Sequence, residues 1–287
     1  MASSALHDSF ENDAYLSKLR RDSRDVWIRA FECMGLLCYE SSDRITSLSQ
    51  SAQAAQKRLG APPERTQVIA NGVDLERFSG ITLKPSDSPQ IVAFIGRVVP
   101  IKDVDTFIRA MDIVFRSFPD VEGWIVGPED EDRDYAQECQ ETVASLGIGE
   151  RLKFLGMCDV PQIISQVDMI VLTSLSEGQP LTVLEAGAAG LPCVTTDVGS
   201  CRDLIEGSNS EMDDDASGGY VTELMSPEGT AAAIMKLLAD PCDARARGAA
   251  LKTRIRDHYS LEKMLESYEQ LYRTHMRLPT RSDTGGP

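Results

Sequence analysis

The sequence lacks a long apolar run: none approaches the roughly 20 residues that a helix needs to cross a bilayer. Its start, MASSALHDSFENDAYLSKLRRD, is too polar for a signal peptide. We therefore expect a protein that does not span a membrane and that is located in the cytoplasm.

Positive charge is scarce as well, with 29 Lys and Arg residues against 45 Asp and Glu residues and a formal net charge of -16. A surface of this sign repels nucleic acid and anionic lipid headgroups. We therefore exclude nucleic acid as a partner, and any polyanionic ligand must meet a local cluster of positive charge.

Cysteine pairs of the C-x-x-C kind are missing, and the number of cysteines is odd. Most of them lie in apolar segments, which predicts reduced core thiols of a cytosolic protein. The seven are Cys33, Cys38, Cys139, Cys158, Cys193, Cys201 and Cys242.

Residues 1–88 carry few regular patterns. Apolar residues recur at helical spacing over 24–40 and predict a buried helix; they are Trp27, Ile28, Phe31, Met34 and Cys38. The segment DRITSLSQ predicts one strand, and one strand cannot form a sheet, so an upstream part of this domain is expected to be missing. The Ser-, Pro- and Gly-rich segment 79–90 predicts a linker, with a domain boundary near residue 88.

Beyond that boundary the pattern becomes regular. Short apolar or β-branched runs alternate with helical or loop segments: QIVAFIG, EGWIVG, RLKFLG, DMIVLTS, LPCVTT and GGYVT. Strands that are apolar on both faces and alternate with amphipathic helices predict a parallel sheet covered on both sides, a doubly wound α/β fold. Ligands of such folds bind beyond the carboxyl ends of the strands.

The last helical pattern, SLEKMLESYEQLYRTHM, carries one apolar stripe. Its members are Leu261, Met264, Leu265, Tyr268, Leu271 and Tyr272. Because acidic residues flank the stripe, core packing is favoured over membrane binding. Self-association is the alternative for any part of the stripe that lies exposed. The tail 278–287 is expected to be disordered.

The first of the six strand patterns ends in GRVVPIKD. Gly96 and Arg97 then lie at the carboxyl end of the strand, and Lys102 at the start of the following helix. Two cations beside the N–H groups of a helix end suit a diphosphate. The alternative is an ordinary surface loop that carries an Arg and a Lys. In a protein this acidic, the position at a ligand-binding edge favours the anion site.

The segment SEGQPLTVLEAGAAGLP follows the strand pattern DMIVLTS. Pro180 fits the first turn of a helix, so Glu177 lies in the loop before it and Glu185 on its second turn. Between them the N–H groups of Leu181 and Thr182 are available to phosphate. Carboxylates accept hydrogen bonds from sugar hydroxyls, so the two glutamates are suited to a hexose hydroxyl and a ribose diol. A capping loop with a solvated Glu is the alternative, and two later glycines disfavour it.

Five motifs together resemble a known family: NGVD (71–74), GRVVPIKD (96–103), GPEDED (127–132), SEGQPLTVLEAGAAGLPCVTTDVG (176–199) and CRDLI (201–205). They resemble retaining glycosyltransferase family 4 (group 1), whose members have the GT-B fold. The details WIVGPEDED and TDVGSCRDLI are most similar to the PelF branch, which uses UDP-glucose in making the Pel exopolysaccharide. The resemblance covers about residues 25–275, and the E-x7-E loop with its upstream G-R and K is highly specific in combination.

The resemblance implies a role for each matching residue. Arg97 and Lys102 would bind the donor diphosphate, Glu177 the transferred sugar and Glu185 the ribose. Arg97, Lys102 and Glu177 would be the catalytic residues. Backbone groups of the turn after RLKFLG would bind the base. The full expected donor site is Gly96, Arg97, Lys102, Met157, Cys158, Glu177, Gly178, Pro180, Leu181, Thr182 and Glu185. The resemblance also implies that no metal is needed, because Arg and Lys do the work of a divalent ion.

The same resemblance predicts the domain organisation. Residues 1–88 would be a remnant of the N-terminal, acceptor-side domain, residues 89–257 a complete Rossmann-like nucleotide-sugar-binding domain, and 258–277 a crossover helix. Members of the family have a complete N-terminal domain with a Gly-rich loop and commonly a histidine near the donor sugar. The three histidines of this chain, His7, His258 and His275, match none of that, which predicts an N-terminal truncation.

Two acidic runs have other interpretations. Asp130–Asp132 fits a D-x-D pattern that holds a divalent metal in GT-A enzymes. Acidic residues in the first turn of a helix are favoured by its dipole, and this simpler reading is preferred. Asp213–Asp215 is expected to lie in a solvated loop.

The function expected is transfer of a hexose, glucose by resemblance, from a UDP-sugar to a polysaccharide or glycan acceptor with retention of configuration. A non-catalytic nucleotide-sugar-binding fragment is the first alternative. A GT-B sugar-nucleotide epimerase is the second, and the E-x7-E spacing disfavours it. The sequence does not identify the acceptor. An inner-membrane polysaccharide export machinery is considered as a further partner.

Overall fold

The computed structural model describes residues 21–84, 89–207 and 217–276. Its helices are α1 (Arg21–Ser41), α2 (Gln50–Arg58), α3 (Leu75–Ser79), α4 (Val104–Ser117), α5 (Arg133–Leu146), α6 (Val160–Ile164), α7 (Leu181–Ala189), α8 (Cys201–Glu206), α9 (Pro227–Ala239), α10 (Pro241–His258) and α11 (Leu261–Met276). Its strands are β1 (Ile45–Ser47), β2 (Thr66–Val68), β3 (Ile91–Ile95), β4 (Glu122–Val126), β5 (Leu152–Gly156), β6 (Met169–Leu172), β7 (Cys193–Thr196) and β8 (Gly219–Thr222). In these ranges no helix is long and apolar enough to cross a membrane.

Strands β3 to β8 form one parallel sheet in the order β5-β4-β3-β6-β7-β8. All six strand patterns read from the sequence are confirmed. The strands β6 and β7, in the inner part of the sheet, are buried at every residue, which is why their sequences are continuous apolar or β-branched runs. The edge strands β5 and β8 are only partly covered.

Helices cover both faces of this sheet, so the predicted doubly wound fold is confirmed. On one face, α4, α5 and α9 pack around buried side chains such as Phe94, Phe107 and Met111. On the other face, α6, α7, α8 and α10 pack around Ile170 and Leu184. Burial of such apolar surface, worth about 25 cal/mol per Å2, is the main favourable term for holding the helices on the sheet.

The order of the strands reverses between β3 and β6. From β3 the chain moves outwards to β4 and β5, and it then returns to β6, on the other side of β3, before it moves to β7 and β8. In doubly wound sheets the crevice at the carboxyl ends of such a pair of strands is where ligands bind. The loops after β3 and β6 therefore border the crevice in which such folds bind their ligands.

A second, two-stranded parallel sheet lies in the first part of the chain. Strand β1 pairs with β2, with Ile45 opposite Thr66 and Ser47 opposite Val68. The sequence predicts β1 but not β2, so the interpretation of this region as holding a single strand is wrong. The run TQV is too short, and carries too little alternation, to be recognised as a strand.

Helix α1 confirms the predicted helix but not its burial. Trp27 is 56% exposed, Met34 48% and Leu37 66%, whereas Tyr39 is buried against Ile45. Helical periodicity of apolar residues identifies a face but does not show what covers it. The apolar stripe of α11 is also less buried than expected, since Leu265 and Tyr272 are more than half exposed.

The expectation of core thiols holds for Cys139, Cys193 and Cys201, which are buried. It is wrong for Cys33, Cys38, Cys158 and Cys242, which are exposed. The first two lie on the exposed side of helix α1, and the other two lie in a strand-end turn and a first helical turn. The predictions for Asp213–Asp215, the tail 278–287, His7 and residues 85–88 of the linker fall outside the described residues.

Candidate functional site

The loops after β3 and β6 are held together by hydrogen bonds to backbone carbonyls of the β3 loop. The Leu175 N–H donates to the carbonyl of Ile101 at 2.8 Å. The Thr173 hydroxyl donates to the carbonyls of Lys102 (3.2 Å) and Asp103 (2.8 Å). The two segments GRVVPIKD and SEGQP, which the sequence singles out separately, therefore meet at the switch point of the sheet.

Lys102 and Glu177 form the central ion pair of this junction. The Lys102 Nζ lies 2.5 Å from Glu177 Oε1, and the two side chains are 20% and 12% exposed. The Ser174 hydroxyl donates to the same carboxylate oxygen at 2.6 Å. A cation expected to bind phosphate and a carboxylate expected to bind sugar thus compensate each other's charge where the two loops meet.

Lys102 does not begin a helix as predicted. It ends a 3-10 turn, Pro100–Lys102, and Asp103 then takes a left-handed conformation (φ 47°) before α4 begins at Val104. The proline sets the backbone of this turn, and the left-handed residue separates it from α4. In this conformation the Lys102 side chain contacts Glu177 in the loop after β6.

Arg97 lies on the same loop but makes a different contact. Its Nη1 is 2.6 Å from Glu131 Oε2, and both side chains are about half exposed. An exposed pair of this kind contributes about 0–1 kcal/mol, so an incoming anion can displace Glu131 at little cost. The neighbouring Asp132 accepts a hydrogen bond from the Tyr135 N–H and caps α5. Within the acidic run Asp130–Asp132, Glu131 therefore makes an ion pair and Asp132 a helix cap.

Close backbone contacts fix the loops after β3, β4 and β5 relative to one another. The Gly96 N–H donates to Val126 O, and the Gly127 N–H donates to Gly156 O, each at 2.8 Å. A Cβ on Gly127, whose φ is 146°, would lie 2.0 Å from Gly96 O. Only glycine permits this approach, which sets where Arg97 leaves the strand.

The turn after β5 is open to solvent. Gly156 has a φ of 63°, and Met157, directly after it, is 82% exposed. Cys158 is exposed, and its Sγ donates to the Leu155 carbonyl at 3.4 Å. This is the turn expected to bind a base through its backbone.

Helix α7 begins one residue later than predicted, at Leu181, with Pro180 directly before it. The first N–H groups of a helix have no acceptor within it, so this end is suited to an anion. Leu181 is 54% exposed, and the Thr182 hydroxyl donates back to Ile95 O at 3.3 Å. The helix end is therefore tied to the end of β3, which carries Gly96.

The loop before α7 rests on the loop after β7. The Ser200 N–H donates to Gly178 O at 3.1 Å. Gly199 has a φ of 54°, and a Cβ there would lie 2.2 Å from Glu177 O. The segment TDVG (196–199), which the sequence marks only as part of a longer motif, therefore supports the loop that carries Glu177.

Glu185 lies on the second turn of α7, as predicted. Burial raises the pKa of its carboxyl group, and the positive charge of Arg77 partly opposes that rise. Arg77, in α3, also has its Nη2 3.3 Å from Asp159 Oδ1, directly after the exposed β5 turn. The charge of Arg77 thus acts both on Glu185, where the ribose is expected, and on Asp159, beside the turn expected to bind the base.

Sequence reasoning missed several residues of this region. The sequence pattern does not distinguish Ser174, Gln179 or Arg77, and it includes Asn71 only as part of NGVD. The Asn71 N–H donates to the Gln179 side chain, 108 residues away, at 2.5 Å. Contacts over such a separation leave no periodic signal in a single sequence.

Comparison with known proteins identifies the family. The family model described as glycosyl transferases group 1 matches residues 89–240, more than half of the chain. The chain belongs to this family. A second family model, for a domain of unknown function (DUF3492), matches residues 9–64.

The chain is also similar to curated relatives. The D-inositol 3-phosphate glycosyltransferase of Segniliparus rotundus is 28% identical over 228 residues, covering 75% of this chain and 49% of that protein. The UDP-Gal:alpha-D-GlcNAc-diphosphoundecaprenol alpha-1,3-galactosyltransferase of Escherichia coli is 26% identical, with coverage of 83% and 59%. The chain therefore spans only about half to three fifths of the length of these relatives.

Solved structures show the same fold at low identity. Anabaena HepE in complex with UDP-glucose superposes with a TM-score of 0.74 at 22% identity, covering 88% of this chain and 69% of that one. Sucrose-phosphate synthase from Thermosynechococcus elongatus gives a TM-score of 0.76 at 22% identity, with coverage of 95% and 66%. The chain has the fold of these GT-B glycosyltransferases.

Proposed function

We propose that this chain binds a nucleoside diphosphate sugar at the carboxyl ends of β3 and β6. The observation that carries the proposal is the Lys102–Glu177 contact, which joins a phosphate-binding type of residue to a sugar-binding type at the switch point of the sheet. Arg97, Lys102 and the start of α7 bind the diphosphate, and Glu177 binds the hexose.

The nucleoside end of the donor occupies the side nearer to Glu185. Its carboxylate accepts hydrogen bonds from the ribose hydroxyls, and backbone groups of Met157 and Cys158 bind the base. Gly96, Gly178 and Pro180 contribute backbone that approaches the ligand closely. The exposure of the turn at Met157 and the burial of Glu185 support this orientation.

We propose further that the protein transfers glucose from UDP-glucose to a glycan acceptor in the cytoplasm, with retention of configuration and without a metal. The name of the E. coli relative includes UDP-Gal, which supports a UDP-sugar as donor, and HepE was solved with UDP-glucose, which supports glucose as the sugar. The segments WIVGPEDED and TDVGSCRDLI support the PelF branch, and with it a place beside an inner-membrane polysaccharide export machinery.

The chemistry proposed depends on charge that develops at the leaving group. As the bond between the anomeric carbon and the diphosphate breaks, negative charge grows on the phosphate oxygens. Arg97, Lys102 and the N–H groups of α7 are positioned to stabilise it. Removal of one such donor typically lowers the rate roughly 100- to 1000-fold.

The role of Arg97 is tested by calorimetric titration with UDP, UMP and uridine. We expect Arg97→Ala to weaken UDP binding about ten- to hundredfold and UMP or uridine binding less, because its guanidinium contacts the outer phosphate. Arg109→Ala is the matched control, since Arg109 is equally exposed and also pairs with a carboxylate, on α4. Equal losses for all three ligands would contradict the assignment.

The reaction is tested by UDP release from UDP-glucose with candidate glycan acceptors, with Glu177→Ala as the inactive control and product configuration read by NMR. Glu177-dependent release with an α-linked product is expected, because retention preserves the donor's configuration. Donor binding without turnover would indicate a binding fragment. Conversion of the UDP-sugar itself would indicate an epimerase.

A further inference from the structure

The loop that carries Glu177 is held from two sides besides the ion pair with Lys102. The Ser200 N–H donates to Gly178 O on one side. On another, the segment after β2 contacts Gln179. Because Pro180 follows directly and α7 begins at Leu181, the position of Gln179 sets both the Glu177 loop and the end of the helix.

Gln179 and Asn71 form a reciprocal pair. The backbone N–H of Asn71 donates to Gln179 Oε1 at 2.5 Å, and the Asn71 side-chain amide donates to Gln179 O at 3.3 Å. Gln179 is only 6% exposed. A buried amide has few other partners, so loss of either group leaves a polar atom unsatisfied and lets the loop move.

The segment that carries Asn71 is itself anchored. The Val73 N–H donates to Tyr259 O, and the Leu261 N–H donates to Val73 O, each at 2.9 Å. These bonds pin the segment to the junction between α10 and α11. Asn71 therefore lies in an anchored segment outside the loop that carries Glu177, and it holds that loop in place.

We propose that Asn71 and Gln179 are positioning residues of the donor site, which hold Glu177 and the start of α7 in the geometry that binds the sugar and diphosphate. The inference rests on the proposed function. It predicts that the affinity for ligands that reach Glu177 and the start of α7 depends on Asn71 and Gln179. The affinity for a ligand confined to the nucleoside end does not depend on them.

The test is calorimetric titration of Asn71→Ala and Gln179→Met with UDP-glucose, UDP and uridine. We expect UDP-glucose and UDP to bind on the order of tenfold more weakly and uridine to bind as it does to the wild type. Gln166→Leu is the matched control, since this exposed glutamine precedes the opposite end of β6. Thermal unfolding without ligand reports any loss of stability separately.

The outcomes separate this inference from the proposed function. Wild-type binding of UDP-glucose with unchanged binding by both variants would overturn the positioning role and leave the proposed function intact. Equal losses for all three ligands would also overturn it, because the pair would then support the whole site. A wild type that binds none of the ligands would overturn the proposed function and this inference together.

Discussion

At the scale of single residues, the two glutamates of the site have different surroundings. Glu177 is paired with Lys102 and accepts a bond from Ser174, so its charge is compensated locally. Glu185 is half-buried on α7, and the charge that acts on it comes from Arg77. This difference suits a sugar-binding carboxylate near the diphosphate and a ribose-binding carboxylate farther from it.

Glu185 leads to a pH prediction. The ionised carboxylate is the form that accepts bonds from both ribose hydroxyls, and burial raises the pKa of this group. Affinity for UDP-glucose should therefore fall as the pH is lowered through that pKa, above the ordinary value of about 4.3. UDP-glucose suits the measurement because its phosphates are diesters whose charge stays constant in this range.

The variant Arg77→Leu gives a second test of the pH dependence. Removing the positive charge raises the pKa of Glu185 further, so the loss of affinity should begin at a higher pH than in the wild type. Arg109→Leu, which removes an equally charged residue from α4, should leave the pH profile unchanged. A wild-type affinity that is flat in pH would show that Glu185 does not bind the donor, and identical profiles for Arg77→Leu and the wild type would show that the charge of Arg77 does not act on Glu185.

At the scale of elements, the loop before α7 depends on the loop after β7. Gly199→Ala would put a Cβ 2.2 Å from Glu177 O at a φ of 54°, so either the glutamate loop or its support must move. We expect weaker binding of UDP-glucose, by tenfold or more, together with roughly 1–3 kcal/mol of lost stability. Calorimetry and thermal unfolding measure the two effects.

Gly147→Ala is the control for this variant. Gly147 also has a positive φ, of 69°, but a Cβ there would meet nothing within 4 Å. It should lose stability from the backbone conformation alone and keep its affinity for UDP-glucose. If Gly199→Ala likewise lost stability but bound the donor normally, the loop after β7 would have no part in positioning Glu177.

The elements themselves were predictable to different degrees. The six strands of the main sheet were predicted because each is a run of apolar or β-branched residues buried between two layers of helices. The start of α7 was predicted to within one residue from Pro180. The 3-10 turn at Lys102 was not, because it depends on the left-handed conformation of Asp103, which is not a glycine.

At the scale of the whole molecule, periodicity predicts which residues share a face but not what covers that face. The exposed side of α1 and the half-exposed stripe of α11 show this limit. The same limit applies to the site. Motifs in the sequence mark Lys102 and Glu177 as site residues. Their contact, however, depends on the order of strands in the sheet and on packing between distant segments, as does the contact of Asn71 with Gln179.

A nucleoside diphosphate sugar is proposed to bind where the loops after β3 and β6 meet. A crystal structure of the protein with UDP-glucose tests it most directly. We predict density for the diphosphate within hydrogen-bond distance of Arg97, Lys102 and the first N–H groups of α7, with the Lys102 ammonium moved from Glu177 to a phosphate oxygen. A nucleotide bound elsewhere on the sheet, or no bound nucleotide at millimolar concentration, would contradict the claim.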